Sequence, residues 1–400
     1  MINKVLQHDG AIDINSTASL WSVFLVGVIA PEVFIVQPGF VQGLVEHVGF
    51  DDQGAGYTAS AEMFGLAATT ILMTFIAHRV NWRSVMLVSL LVMFAANALC
   101  TLTTDLDAFV ALRFIAGLGA GSLVSLSFAI VGLTGNPDRN FGLLIMWVLT
   151  YGAIVLWAMP SAYALAGMDG VLWFFALFPL CAVPVLGHLP KNGESVTQVE
   201  EDAVNLSAGM KAFALFAMLA YFIAQGVVWA YLFLIGIAGG LGEQAVANGL
   251  TLSQFAGIAG AMLAAIMAHR FGRAWPLTIG ILGGAACLYF LIGSFEFLVY
   301  ATAVCIYNFA WNMTHPFLLA SMASFDRRGR VVVYAVAMQM VGLAVGPGLA
   351  ASVISEGNYV NVNWLGAALF IVSLLLILPP VIVQHRSFTT GEAVADVRTS

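Results

Sequence analysis

Ile76-Ala77-His78-Arg79-Val80-Asn81-Trp82-Arg83 and Met267-Ala268-His269-Arg270-Phe271-Gly272-Arg273 are one short turn written twice, half a chain apart. Each follows a long apolar run and precedes another, so the recurrence marks an internal repeat rather than a local motif. Working outward from both copies, apolar segments fall at about 18–44, 54–77, 83–103, 107–134, 141–167, 171–188, 209–238, 249–268, 276–293, 297–322, 331–353 and 363–384. Crossing the hydrocarbon core takes about 20 apolar residues, so these are twelve candidate spans in two sets of six. Six is even, and the two sets therefore share one orientation. Asn136-Pro137-Asp138-Arg139 after the fourth segment and Asp326-Arg327-Arg328-Gly329-Arg330 after the tenth are a second pair of equivalent basic turns.

Composition agrees. The chain is 61% hydrophobic and 9% charged, against roughly 25% charged in soluble domains. Its 14 Lys and Arg residues are sorted by side. Arg79, Arg83, Arg139, Lys191, Arg270, Arg273, Arg327, Arg328 and Arg330 lie in the even connections, with Lys4, Lys211, Arg386 and Arg398 at the same side. The odd connections hold Glu46, Asp51, Asp52, Asp105, Asp107, Asp169, Glu243, Glu296 and Glu356 and no Lys or Arg. Positive charge gathers on the cytoplasmic side of membrane proteins, which predicts both termini inside. The stretch before Ser19 lacks the basic region and cleavage site of a signal peptide, so the first segment is expected to be a retained span.

The polar stretch at the midpoint divides the chain into an N-terminal bundle at 1–189, a cytoplasmic linker at 190–208, a C-terminal bundle at 209–384 and a cytoplasmic tail at 385–400. Cys100, Cys181, Cys287 and Cys305 lie in spans without paired spacing, which argues against disulfides and thiolate metal sites. The Gly-rich runs lie inside spans and lack the Lys-Ser/Thr ending of a phosphate loop. No Ser-His-Asp set or ligand cluster stands out, so neither an enzyme nor an ATP-driven pump is expected, and no cofactor, metal or nucleic acid. Gly117 and Gly121, and Gly342 and Gly346, have the spacing of close helix contacts.

In span four, Arg113-Phe114-Ile115-Ala116-Gly117-Leu118-Gly119 follows an Arg-x-x-x-Gly-x-Gly pattern. The 2–3 turn keeps Arg79 and Arg83 of a Gly-x-x-x-Asp-Arg-x-Gly-Arg-Arg pattern, with His78 at the acidic position and Asn81 for a glycine. The 8–9 copy keeps Arg270, Gly272 and Arg273. With six plus six spans and a charged central loop, the whole chain resembles the major facilitator superfamily. The resemblance implies an all-α integral membrane protein of two six-helix bundles, working by alternating access as a secondary active transporter, with spans one, four, seven and ten lining a central cavity. It also implies that Arg79, Arg83, Arg270 and Arg273 serve conformational switching, and that the protein functions as a monomer, here in a bacterial inner membrane.

A charge in hydrocarbon normally faces a cavity or a partner. Glu32 in span one, Glu62 in span two and His315 in span ten are the candidates for proton coupling. Arg113 is a candidate for binding an anionic substrate group, because guanidinium suits carboxylate and phosphate; its alternative is an ion pair with Glu62 or Glu32. Asn308, Trp311, Asn312 and His315 stand at i, i+3, i+4 and i+7, one face of span ten. Tyr221, Gln225 and Trp229 form a shorter stripe on span seven, and Trp147, Thr150, Tyr151 and Trp157 on span five, with Tyr334 and Gln339 on span eleven. The expected substrate site comprises Arg113, Gln37, Tyr151, Tyr221, Gln225, Trp229, Asn308, Trp311, Asn312 and Gln339. The expected activity is proton-coupled uptake of a small organic anion by symport. The alternative is proton-coupled efflux of lipophilic or cationic compounds, against which Gly152 and Pro160 lie too far apart to form the Gly-Pro signature common in antiporters of the family.

Overall fold

Proline and glycine decide where the apolar runs break. The computed structural model describes residues 12–193, 203–267, 272–326, 330–355 and 357–399, and among them α-helices dominate. Span one is three short helices, α1 (Thr17–Ile29), α2 (Glu32–Ile35) and α3 (Gln37–Gly43). Pro31 interrupts the first junction, and Pro38, in the first turn of α3, has no N–H to give the carbonyl of Phe34 four residues back. Between them Val36 adopts φ −111° and ψ 16°. Span seven breaks at the equivalent place, into α8 (Ala208–Trp229) and α9 (Leu232–Ala238).

The remaining helices are α4 (Asp52–Ile76), α5 (Trp82–Cys100), α6 (Leu106–Gly132), α7 (Pro137–Leu180), α10 (Glu243–Met267), α11 (Ala274–Cys287), α12 (Phe297–Ser324), α13 (Arg330–Val353) and α14 (Val360–Thr399). Gly167 turns α7 into two crossings, at φ 62° and ψ −164°, a backbone region essentially confined to glycine. α14 runs helical to Thr399, well past the end expected for span twelve. Nine helices among the described residues are long and apolar enough to cross a membrane. The other three crossings are the second half of α7, the broken span one, and α12, whose middle is diluted by Asn308, Asn312 and His315. The fold is therefore all-α with twelve membrane crossings.

Within the first six crossings α4 packs on α6, and α6 on α5; within the last six α8 packs on α13 and α14, and α10 on α12. The two sets meet along α4 with α13 and α7 with α10. Glycines set the closest approaches. A Cβ on Gly117 of α6 would strike the backbone carbonyl of Glu62 on α4, and one on Gly65 would strike that of Phe114. Thr69 Oγ1 donates to Leu118 O across the same contact at 2.8 Å.

Side-chain hydrogen bonds between the two sets gather at the end free of Lys and Arg and in the middle. Tyr231 OH donates to Asp52 O at 2.7 Å and Tyr359 OH to Asp52 Oδ1 at 2.8 Å. Ser60 Oγ donates to Ala344 O at 2.6 Å and accepts from Gly348 N at 2.7 Å. Gln42 Nε2 reaches Glu243 Oε1 at 3.4 Å and Gln244 Nε2 reaches Trp157 O at 3.3 Å. At the Arg-rich end, Arg83 Nε donates to Leu189 O at 2.5 Å within the first set, and Val204 N in the linker donates to Ser324 O at 2.9 Å.

Candidate functional site

The site is built on the two broken spans. Glu32 opens α2 directly after the Pro31 break, 1% exposed, and neither carboxylate oxygen has a hydrogen-bond partner among the described residues. An ionised carboxylate left buried and unpaired costs several kcal/mol, so this is a group that must meet a proton or a partner when its surroundings change. Gln37, at the second break, is as buried and equally unpartnered at both ends of its amide. Tyr151, facing from α7, is buried with its hydroxyl unpartnered and its ring stacked on Phe178 at 5.5 Å.

Arg113 lies elsewhere than expected of an open anion site. Its Nη2 is 2.6 Å from Glu62 Oε1, Asn97 Oδ1 accepts from Nη1, and the guanidinium sits 4.9 Å over the Phe40 ring. Arg113 is fully buried and Glu62 nearly so. The Gly65 and Gly117 contact brings α4 and α6 close enough to make this pair. Asn97, which holds the arginine while donating to Phe175 O at 3.1 Å, carried no signal in the sequence, since a lone Asn in span three has no patterned neighbour.

The span-ten stripe is real as a face but is only partly open. Asn308 Nδ2 donates to Ser253 Oγ on α10 at 3.2 Å, and Asn312 Nδ2 to Asn308 Oδ1 at 2.7 Å. Trp311 packs edge-on to Trp229, Phe34 and Tyr307 at 5.9, 6.2 and 6.1 Å. His315 Nε2 and Gln339 Oε1 are 3.0 Å apart, joining α12 to α13. Trp229 Nε1 donates to Phe34 O at 2.9 Å, a second donor beside the Val36 N–H at the carbonyl that Pro38 cannot serve.

Several expected members stand apart. Tyr221 points into its own bundle, against Phe222 and Phe370 at 5.2 and 5.4 Å, while Gln225 is buried beside it and its backbone carbonyl accepts from Tyr307 OH at 3.2 Å. Tyr221 packs within the bundle, whereas Gln225 Oε1 is buried without a hydrogen-bond partner among the described residues. Trp157 and Tyr334 are more than half exposed. Trp147 packs on Trp21 at 5.4 Å and helps line a crevice of about 610 Å³ between α1 and the two crossings of α7, walled by Phe24, Tyr151, Phe174 and Phe178. Arg79 is exposed with Nε on His78 Nε2 at 3.0 Å, Arg273 is half-buried, and Arg270 lies outside the described residues.

Two sets of six crossings, each with a broken leading helix at the shared seam, agree with the family match over residues 17–326. The chain belongs to the Major Facilitator Superfamily. The putative niacin/nicotinamide transporter NiaP of Bacillus subtilis (strain 168) is 20% identical over 278 residues, which cover 65% of this chain and 70% of that protein. In fold, the chain is similar to the nucleoside transporter NupG, with TM-score 0.72 and 13% identity over 90% of this chain and 99% of that one. It is equally similar to a D-xylose-proton symporter, with TM-score 0.72 and 16% identity over 90% and 96%. As a member of the superfamily the protein is a membrane transporter and not an enzyme.

Proposed function

We propose that this transporter couples the uptake of a small organic solute to protons, with Glu32 as the proton-carrying group. The observation that carries the reading is Glu32 itself: among the described residues it is the carboxylate with both oxygens buried and unpartnered, and it opens α2, the short helix whose Phe34 meets Trp229 and Trp311 of the other bundle. A carboxyl there can exchange its proton with whichever side the seam opens toward, which is what coupling requires. Aromatic walls from Trp311, Trp229 and Phe34, with amides from Gln37 and Asn312, suit a planar solute bearing hydrogen-bonding groups.

Preference for an organic anion rested on Arg113 as a solitary cation, and the Glu62 carboxylate 2.6 Å away removes that support. The solute in this reading is neutral, or is moved together with the charge it carries. Both termini are cytoplasmic, the Arg-poor end faces outward, and a monomer in a bacterial inner membrane is the working unit. The linker at 190–208 ties bundles at 1–189 and 209–384, with 385–400 as the tail. Contacts between the bundles at the Arg-poor end then close the outer side.

Efflux of lipophilic compounds stands as the second reading because of the crevice of about 610 Å³ behind Tyr151, whose aromatic walls fit such a compound. The test uses the full chain in liposomes loaded with a pH-sensitive dye. Added solute should acidify the lumen of wild-type vesicles, and Glu32→Gln should abolish the acidification while allowing solute exchange. Solute uptake without proton movement would overturn the proposal.

A further inference from the structure

Gln254 belongs to none of the patterned stripes. It lies on α10 in the eighth crossing, 1% exposed, and neither Nε2 nor Oε1 has a hydrogen-bond partner among the described residues. Its position is the seam itself. A Cβ added to Gly152 of α7 would come within 3.2 Å of Gln254 Cδ and 3.3 Å of Oε1, and Ile35 of span one presses on the same spot. Spans one, five and eight therefore converge on this carboxamide, and the missing Cβ at Gly152 lets them close on it. The preceding residue, Ser253, is the acceptor for Asn308, so polar groups of α10 and α12 continue from Gln254 toward the span-ten face.

Burying an amide without hydrogen bonds costs about 1–3 kcal/mol, and a Leu or Met would fill the same volume at no such cost. A group that lowers stability in the free protein and sits on the surface that parts during transport is placed to bind the cargo. Its chemistry narrows what it binds. One end donates and the other accepts, side by side in one plane. A ligand edge with the complementary pair, acceptor beside donor, satisfies both ends together, as Gln does with the adenine edge. A ketone or ether answers only one end.

Resting on the transport reading above, we propose that Gln254 is a specificity-determining residue that reads an amide-type edge, a carboxamide or ring lactam, on a planar solute. The phenyl ring of such a solute lies against the aromatic walls while its amide meets Gln254.

Thermal stabilisation of the purified full chain by benzamide, acetophenone and benzyl alcohol tests this, since a ligand stabilises the fold that binds it. Wild type should bind benzamide about tenfold more tightly than acetophenone, the worth of one net hydrogen bond. Gln254→Met, close in size and shape, should erase that preference by weakening benzamide alone. Gln254→Leu, which lacks donor and acceptor alike, should also erase it. Retention of the wild-type preference in Gln254→Met would overturn the proposal, as would a wild type that binds all three compounds equally or none. Proton coupling is read separately in liposomes. Coupling without amide preference sinks this inference alone, and amide preference without coupling sinks the coupling reading alone.

Discussion

Trp229 and Phe34 join the two broken helices across the seam, the indole N–H donating to the Phe34 carbonyl at 2.9 Å. The bond exists because Pro38 supplies no N–H to that carbonyl, so one bundle's helix defect is mended by the other bundle's side chain. Trp229→Phe keeps the aromatic contact with Trp311 and removes the donor. It should destabilise this conformation by about 0.5–1.5 kcal/mol, the net worth of one hydrogen bond, read as a lower melting temperature of the purified protein. An unchanged melting temperature would show that the Val36 N–H suffices for that carbonyl and that the mend is dispensable.

Glu62 and Arg113 should behave as a unit. Breaking a buried ion pair at one partner costs about 3–5 kcal/mol, whereas replacing both by apolar groups of similar size can be neutral. Glu62→Gln and Arg113→Met should each lower stability strongly, and the Glu62→Met, Arg113→Met double variant should recover most of it. Additive losses in the double variant would mean that each group has a separate partner. Arg113→Lys should also fall short of wild type, because an ammonium cannot serve Glu62, Asn97 and the Phe40 face together.

How much of this was legible in the sequence differs between spans. The two Ala-His-Arg turns and the sorting of arginines carried the twelve crossings and the repeat, because hydrocarbon thickness and charge cost act on every residue of a span. The Asn308, Trp311, Asn312 and His315 face was readable from helical spacing. Partners were not. Glu62 was a partner candidate for Arg113, but Asn97 stands alone in span three, and which way Tyr221 turns depends on Phe370 in span twelve, far away in sequence. Gln254 escaped for a related reason: an orphaned amide is defined by what fails to surround it, and sequence spacing reports only what lies on the same helix.

Asp52 is the acceptor for both Tyr231 and Tyr359, so one residue at the start of α4 in the first bundle holds two tyrosines of the second. Burial, then the Asp52 carboxylate, push the Tyr359 hydroxyl pKa above its ordinary value. The hydroxyl therefore stays protonated, and a donor, at neutral pH. Tyr359→Phe removes the bond to the Asp52 side chain but keeps the ring. It should loosen the Arg-poor end and increase the reaction of Gln42→Cys, on a cysteine-free background, with a thiol reagent added outside. No change in labelling would show that Ser60 and Tyr231 suffice to hold that end shut.

Water and lipid can be told apart on α12, because exposure and polarity disagree there. Ile306 is 41% exposed, on the face opposite the polar stripe, whereas Asn312 and His315 are half-buried. If the exposed face meets lipid and the polar face meets an aqueous cavity, reactivity with a charged thiol reagent should invert the order of exposure. Asn312→Cys and His315→Cys should label readily and Ile306→Cys slowly, once Cys100, Cys181, Cys287 and Cys305 are removed. A transported solute should protect the first two, since an occupied cavity excludes the reagent. Labelling that follows exposure instead, fastest at Ile306, would place water on the wrong side of the helix and remove α12 from the site.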